Sequence, residues 1–429
     1  MEFVEISKAK CSTSRSYKYF RAAINFILVI ICCIICQCMP STFQIDADFP
    51  GGNIIVVDIN GDSIQLQQDL RDTEGQWFYW SFRVQGAAGK TLYFEFTNGV
   101  IGARGPAISV DGGSSWQWLG DLGFSNTTFQ YTFGAKENEV YFGQGMNYTE
   151  KDLRHFLDRY KNHPDLTIET LCTSGKGRNV ELLRIRNNHI TPDFKIFLSS
   201  RHHCGEMMAT RALEGIIETV LSDTEEGRWF RDHGDFFIVP FVDKDGVEDG
   251  DQGKNRRPHD HNRDYKLRIY PEIRAITGQV PIWSDGKPLF FLDMHCPWLR
   301  GGSDPNDPEK GTNEYPYFVC NNPANDLLNF GEKLNRFATI LETVRKGPIP
   351  YKASFNLPYG VAWNTASNLK TSDLQSSSGW AATLPNAIFA SSIEIPFTNA
   401  CGVAVDANSA RELGYDLARA IRVYLETLE

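Results

Sequence analysis

The first residues in the sequence with the types and spacing for metal chemistry are His203 and Glu206. They follow an apolar stretch at 194–199, and a helical pattern begins at Glu206 and runs to residue 222. A tight strand-to-helix turn would aim a histidine and a glutamate three positions apart at one point. An imidazole and a carboxylate together suit zinc. The pair is therefore a candidate for half of a zinc site, although the spacing alone also arises by chance.

A third candidate ligand, His295, ends the apolar segment 290–295. In α/β domains, ligands bind at the carboxyl ends of the strands, which is where this histidine would lie. A His–Glu–His set leaves a fourth position open for water, which is the arrangement of a catalytic rather than a structural zinc. The sequence therefore predicts one zinc ion per chain. The alternative is a core histidine bonded to a backbone carbonyl.

Three polar residues in the long loop 243–267 complement this set. Asn262 and Arg263 place a neutral and a charged donor side by side, a combination that suits the capture of a carboxylate. Asp260 can accept a hydrogen bond from the far nitrogen of a ligating histidine. A solvated polar turn is the alternative interpretation of this loop.

Glu394 is the one carboxylate within the apolar segment 387–395. A charge in an apolar strand is costly unless it has a partner or a chemical role. Buried near a metal, it would have a raised pKa and would act as a general base. On an edge strand it would face solvent instead.

The elements that must position these residues belong to two kinds of domain. From residue 148 onward, apolar strand-like runs alternate with helical patterns, which predicts an α/β fold with a mixed, largely parallel sheet flanked by helices. Before it, short aromatic and β-branched segments recur about every ten residues and predict an antiparallel β-sandwich. The aromatic run 76–84 is expected to be sandwich core. We therefore predict an N-terminal domain at 44–147 and a catalytic domain at 148–429.

Composition excludes several classes of protein. The chain has 429 residues, of which 41% are hydrophobic and 22% charged, which is typical of a globular protein. A net charge of −10 argues against nucleic acid as a partner. Within residues 1–38, basic side chains precede an apolar run at 22–36, the pattern of a signal peptide or, if uncleaved, of a membrane anchor. We therefore expect a secreted, periplasmic or membrane-anchored protein that touches membranes only through this segment.

The candidate residues resemble, in their order along the chain, the zinc carboxypeptidases of the M14 type. The ordered set is His203, Glu206, Asn262, Arg263, His295 and Glu394. The segment 240–247 is similar to the Asn-Pro-Asp-Gly segment of that family. The segment starting at Gln76 resembles the domain that precedes the catalytic domain in cytosolic carboxypeptidases. The resemblance covers residues 44–429.

This resemblance implies a zinc-dependent metallocarboxypeptidase. Its substrates would be peptide or protein C-termini, whose last peptide or isopeptide bond is hydrolysed by a zinc-activated water. The implied zinc ligands are His203, Glu206 and His295. Asn262 and Arg263 would hold the terminal α-carboxylate, Asp260 would orient His203, and Glu394 would be general base and then proton donor to the leaving amine.

The family also uses an arginine ahead of the Asn–Arg pair to stabilise the tetrahedral oxyanion. Arg256 is the candidate here. Arg257 is its alternative and is otherwise placed among the substrate-binding residues, since spacing alone does not separate the two. Digestive members carry a mobile tyrosine ahead of the catalytic glutamate, but no tyrosine lies between Gly360 and Glu394.

Two other functions stay open. A zinc amidohydrolase that deacylates N-acyl amino acids shares the His-x-x-Glu and Asn-Arg patterns, but it usually carries a C-terminal β domain rather than an N-terminal sandwich. A zinc-free binding module is the other alternative, against which Glu394 argues, because such a module needs no buried base.

Overall fold

The computed structural model describes residues 43–120, 123–299, 315–322, 328–369 and 371–428. The signal peptide or anchor expected at 1–38 lies outside these residues. In the part of the chain that is described, no helix has both the length and the apolarity needed to cross a membrane. Gln44–Glu429 forms one compact unit.

The N-terminal part builds two β-sheets that share an aromatic core. The five-stranded sheet has the order β1-β4-β9-β6-β7, and the four-stranded sheet the order β2-β3-β5-β8. Phe82 of the first sheet and Phe94 of the second have ring centroids 5.5 Å apart. The pairings are antiparallel except for β3 with β5, which confirms the expected sandwich with one parallel exception. The strands are β1 Gln44–Asp46, β2 Ile55–Asn60, β3 Ser63–Gln67, β4 Ser81–Gln85, β5 Thr91–Phe96, β6 Ala107–Ser109, β7 Gln117–Trp118, β8 Thr128–Thr132 and β9 Glu139–Gly143.

The aromatic run 76–84 is only partly sandwich core. Trp80 and Phe82 are fully buried, as expected. Strand β4, however, begins at Ser81, and residues 76–80 precede it without belonging to a strand. Trp77 is only half-buried and lines the cleft described below, and the ring of Phe78 packs against Trp298 and Phe397. The expectation that all these rings fill the sandwich is therefore wrong for Trp77 and Phe78.

The remaining chain forms a seven-stranded mixed sheet with helices on both faces. Its order is β10-β11-β13-β12-β14-β16-β15. The four neighbouring strands β13, β12, β14 and β16 are parallel, and the outer pairings are antiparallel. The strands are β10 Leu166–Thr173, β11 Asn179–Ile185, β12 Phe194–Ser200, β13 Gly234–Val239, β14 Leu289–His295, β15 Tyr317–Val319 and β16 Ala387–Glu394, followed by a hairpin of β17 Asn399–Ala400 and β18 Val403–Ala404. The α-helices are α1 Glu150–Asp158, α2 Met207–Leu221, α3 Glu225–His233, α4 Lys244–Asp249, α5 Pro271–Ser284, α6 Phe330–Val344, α7 Ser377–Ala381 and α8 Ala407–Glu426.

Alternating phenylalanines bury both faces of this sheet. Phe197 stacks on Phe291 at 4.4 Å, on the face covered by α5 and α7. Phe290 stacks on Phe389 at 4.5 Å, on the face covered by α6 and α8. Because the central strands are apolar on both sides, they read as continuous apolar runs, which is typical of parallel sheets.

The parallel strands deliver the candidate residues to one edge of the sheet. His295 is the last residue of β14 and Glu394 the last of β16, and the two are direct neighbours in the strand register. Strand β12 ends at Ser200, three residues before His203. Parallel strands end at a common edge, so the turn after β12 and the ends of β14 and β16 converge there.

Candidate active site

Three side chains meet at this edge with their ligand atoms facing one another. Nδ1 of His203 lies 3.0 Å from Oε1 of Glu206, and Nδ1 of His295 lies 2.8 Å from Oε2. All three residues are buried, and one ligand atom of each lies within 4.8 Å of the other two. Two imidazoles and a carboxylate that converge in this way have the donor chemistry of a catalytic zinc site. The residues present therefore fit a zinc ion.

Glu206 is held in the charged form that a metal ligand needs. Burial alone would raise its pKa, but Lys254, His203 and His295 outweigh burial and hold the pKa well below its usual range. The ammonium of Lys254 lies 2.8 Å from Oε1 of Glu206. No residue-type pattern in the sequence singled out this lysine.

The far nitrogens of both histidines face carboxylates. Nε2 of His203 lies 3.6 Å from Oδ1 of Asp260, an ion-pair distance that is longer than a hydrogen bond. Nε2 of His295 lies 2.7 Å from Asp293, a residue that sequence reasoning missed. Such partners orient ligating histidines and raise their basicity.

Asp293 is a fully buried carboxylate that gathers four side chains. It accepts from the hydroxyls of Ser199 (2.8 Å) and Ser377, and it contacts Nδ1 of His202 (2.9 Å) as well as His295. These contacts hold its pKa far below the usual range despite burial. A signal for it existed: a charged residue inside an apolar strand, the same feature that drew attention to Glu394.

A second trio, His202, Asp293 and His295, also brings ligand atoms within 4.8 Å of one another. The two nitrogens of His202 are already used, one by Asp293 and the other by the hydroxyl of Tyr265 at 2.8 Å. His202 and Asp293 are completely buried, and neither contributes to the wall of the cleft described below. This trio therefore supports His295 rather than offering a site that substrate can reach.

Replacing Asp293 with asparagine is expected to weaken zinc binding by roughly 10- to 100-fold, because His295 loses the acceptor that fixes its ring. Zinc affinity is measured by competition with a chromophoric chelator. Asp416→Asn is the matched control: Asp416 is equally buried and accepts from the Lys346 and Gly347 amides, far from the metal residues in the chain's last helix. Equal zinc affinity in Asp293→Asn and the native chain would contradict the role of Asp293 in orienting His295 for the metal.

Asn262 and Arg263 end a short 3₁₀ helix, His261–Arg263, and both line the cleft beside the metal residues. The side-chain oxygen of Asn262 accepts from the Ser377 amide at 2.9 Å. Its Nδ2 lies 3.1 Å from Nε2 of His295. His295 donates its Nε2 proton to Asp293, whose carboxylate can only accept. Nε2 therefore cannot accept from Asn262, and the side-chain amide of Asn262 keeps a donor for a ligand. Within the described residues, no carboxylate lies within ion-pair distance of Arg263, whose Nη1 donates to a backbone carbonyl.

The two arginines proposed for oxyanion stabilisation are placed differently from that expectation. Arg256 borders the cleft, but its guanidinium is bound by Asp72 (2.8 Å), Asp243 (2.5 Å) and Asp251 (3.0 Å). Arg257 has a side chain 86% exposed, is paired with Glu74 and does not line the cleft. The structure thus does not bring Arg257 to the metal residues, and the charge of Arg256 is neutralised by three carboxylates.

The cation that does reach the metal residues is Lys254. It lines the same cleft of about 1260 Å³ as His203, His295 and Glu394. Burial opposes its charge, but Glu206 and Glu394 raise its pKa. Its ammonium also lies 5.3 Å from the ring centroid of Trp77, a residue of the N-terminal sandwich.

Glu394 is buried beside the metal residues with one oxygen, Oε2, that has no hydrogen-bond partner among the described residues. Burial raises its pKa, and the nearby charge of Glu206 adds to this while His295 and Lys254 oppose it. An unpartnered carboxylate oxygen in a cleft is placed to exchange a proton with a bound molecule.

Comparisons with known proteins agree with this geometry. The family description "Zinc carboxypeptidase" matches residues 153–282, and "Cytosolic carboxypeptidase N-terminal domain" matches residues 45–143. Cytosolic carboxypeptidase 2 of Homo sapiens is 26% identical over 339 residues, covering 68% of this chain and 37% of the relative. An uncharacterised protein of Zymomonas mobilis is 29% identical over 269 residues, covering 59% of this chain and 67% of the relative. The chain thus spans little more than a third of its human relative.

These names contradict the location expected from the N-terminal pattern. The matched N-terminal domain and the human relative are both described as cytosolic. The prediction of a secreted, periplasmic or membrane-anchored protein is therefore wrong. A basic stretch before a short apolar run is a local pattern, and it carries no information about the rest of the chain.

The fold has a match over nearly all of the chain. The metallo-carboxypeptidase from Burkholderia cenocepacia superposes with a TM-score of 0.73 at 20% identity, covering 90% of this chain and 100% of that structure. At this identity the likeness concerns the fold, while the two sequence families account for the sandwich and for much of the α/β domain. The chain is therefore similar to the zinc carboxypeptidases over residues 153–282 and to the N-terminal domain of the cytosolic carboxypeptidases over residues 45–143.

Proposed function

We propose that the chain is a zinc-dependent metallocarboxypeptidase that hydrolyses the C-terminal peptide or isopeptide bond of peptides or proteins. The observation that carries this proposal is the convergence of three kinds of group on one cleft. A His–Glu–His set, an unpartnered buried carboxylate and an asparagine–arginine pair are the groups that such a reaction needs. One zinc ion per chain, held by His203, Glu206 and His295, is part of the proposal.

Substrate binding rests on Asn262 and Arg263. The guanidinium of Arg263 and the free amide donor of Asn262 provide a forked set of donors for a terminal carboxylate. Asn262 is held in place by the Ser377 amide, so its donor direction is set before substrate arrives. Recognition of the carboxylate restricts cleavage to the last residue of a chain.

The chemical step uses the two charged groups that face the metal residues. Bound zinc supplies Lewis-acid polarisation of the scissile carbonyl and lowers the pKa of a water. Oε2 of Glu394 takes the proton from the attacking water, and Glu394 then donates this proton to the leaving amine. We assign to Lys254, rather than Arg256, the stabilisation of negative charge that develops on the carbonyl oxygen. Asp260 holds the ring of His203 throughout.

The predicted division into an N-terminal domain at 44–147 and a catalytic domain at 148–429 forms part of this proposal. It is supported by the change from sandwich to α/β elements between β9 and α1. All the proposed catalytic residues come from the second domain.

The activity is tested with peptides that differ only in their last residue. We expect one zinc per chain by metal analysis and stepwise release of single C-terminal residues by mass spectrometry. C-terminally amidated versions of the same peptides are the control and should resist, because they lack the carboxylate that Arg263 binds. Cleavage of N-acetyl amino acids without cleavage of peptides would favour the amidohydrolase, and a chain that binds no zinc would favour the binding module.

A further inference from the structure

The loop that carries Lys254 is bound along its whole length by the N-terminal sandwich. We call residues 249–257 the Lys254 loop. Every residue of this loop makes a hydrogen bond or ion pair with a residue between 53 and 79. A loop in the catalytic part of the chain is therefore shaped by the domain that precedes it.

Asp72 is the centre of this contact. Its Oδ1 accepts from the Gln252 amide and its Oδ2 from the Gly253 amide, each at 2.9 Å. Oδ2 also accepts from Nε of Arg256 at 2.8 Å. Two successive amides that point at one carboxylate fix the backbone direction immediately before Lys254.

The side chain of Gln252 fastens the same stretch from the other side. Its Oε1 accepts from the Tyr79 amide at 2.9 Å, and its Nε2 donates to the carbonyls of Tyr79 (2.8 Å) and Asp69 (3.1 Å). Beyond it, the Lys254 carbonyl accepts from the Thr73 hydroxyl at 2.5 Å. The backbone is thus held on both sides of Lys254 by groups of the sandwich, while the Asn255 amide also donates to Asp260.

The result is that the Lys254 ammonium reaches the cleft between the sandwich and the metal residues. It lies 2.8 Å from Glu206 and 5.3 Å from the ring centroid of Trp77. Trp77 itself lines the cleft. The sandwich therefore contributes Trp77 to the lining of the cleft as well as the support for Lys254.

We infer that the N-terminal sandwich is a working part of the active site, and that Asp72 is a positioning residue which acts through Lys254. The inference rests on the proposed hydrolytic function. A lysine has a long flexible side chain, so its effect on a reacting carbonyl depends on where its backbone is held. Small displacements of a catalytic group cost up to about 100-fold in rate.

The test is Asp72→Asn, which keeps the shape of the side chain but turns a donor toward the loop amides. We expect kcat to fall by about 10- to 100-fold with KM and zinc content nearly unchanged. Asp46→Asn is the matched control, because Asp46 accepts from Arg83 within the sandwich and does not contact the Lys254 loop. An unchanged kcat in Asp72→Asn overturns the inference.

A double-mutant cycle separates this role from general support of the fold. In a Lys254→Met background, Asp72→Asn should cost no further activity, because the group it positions is gone. Full additivity of the two losses overturns the inference. Thr73→Ala removes only the bond to the Lys254 carbonyl, so it serves if Asp72→Asn folds poorly. It should lower kcat roughly fivefold, and an unchanged kcat in a folded Thr73→Ala also counts against the inference.

A measurement without substrate distinguishes failure of the inference from failure of the proposed function. In protein with ¹³C-labelled lysine, the ε-methylene resonance of Lys254 is identified by its loss in Lys254→Met. The chemical shift of this resonance should change in Asp72→Asn and stay the same in Asp46→Asn. If the native chain cleaves no peptide, the proposed function fails, while a shifted resonance still supports the inference and an unshifted one overturns it.

Discussion

Replacing Glu394 with glutamine is expected to lower kcat by about 10²- to 10⁴-fold while zinc stays bound. Glutamine has the same shape, but it cannot take a proton from water at the position of Oε2. That oxygen has no hydrogen-bond partner among the described residues, so no hydrogen bond within the protein is lost when it is changed. The measurement is single-residue release from a free C-terminus, together with metal analysis of the purified variant.

A matched control for this prediction is Glu272→Gln. Glu272 is also a buried glutamate, and its Oε2 likewise lacks a hydrogen-bond partner among the described residues, but it lies on α5 and does not line the cleft. We expect this variant to keep native kcat. If Glu394→Gln cleaves at the native rate with zinc bound, Glu394 is not the general base.

The part of the site that could be predicted from sequence is the part that the parallel sheet itself assembles. His203, His295 and Glu394 each follow or end an apolar run, and the carboxyl ends of parallel strands meet at one edge. Local pattern and topology therefore point to the same place. The chemistry of the residue types then fits the set to a zinc ion.

The identity of the cation could not be predicted, because it depends on contacts distant in sequence. Residues 254–257 include three cations, and nothing in their spacing separates them. Asp72, about 180 positions earlier, is one of the carboxylates that take up the guanidinium of Arg256. Lys254 is left to face Glu206. The docking of the sandwich on the loop, together with Asp243 and Asp251, decides which cation faces the metal residues.

The same limit applies to Trp77 and Asp293. A run of aromatic residues predicts a buried strand, but where that strand begins depends on its pairing partner β9 rather than on the run itself. Trp77 falls just before it and is free to line the cleft. Asp293 is visible as a charge in an apolar strand, yet its role follows from four partners that come from separate elements.

Replacing Lys254 with methionine is expected to lower kcat by about 10²- to 10³-fold, the usual cost of removing one group that stabilises an oxyanion. Methionine keeps much of the side-chain volume and still packs against Trp77, so the loss reports the charge. Lys254→Arg should restore most of the rate because it returns a cation to the same place. KM should change little, because terminal-carboxylate binding rests on Asn262 and Arg263. The measurement is kcat and KM on one peptide for both variants.

Arg257→Gln provides the comparison that decides between the arginines and the lysine. Its side chain is 86% exposed and pairs with Glu74 outside the cleft, so we expect kcat to stay within about twofold of the native value. Arg256→Gln is less selective, because it leaves the buried Asp243 without its arginine and disturbs the Lys254 loop itself. A large kcat loss in Arg257→Gln with none in Lys254→Met would return the oxyanion role to the arginine. The opposite pattern supports direct action of the Lys254 charge on the reacting carbonyl, since among the described lysines and arginines Lys254 is the one within ion-pair distance of Glu206.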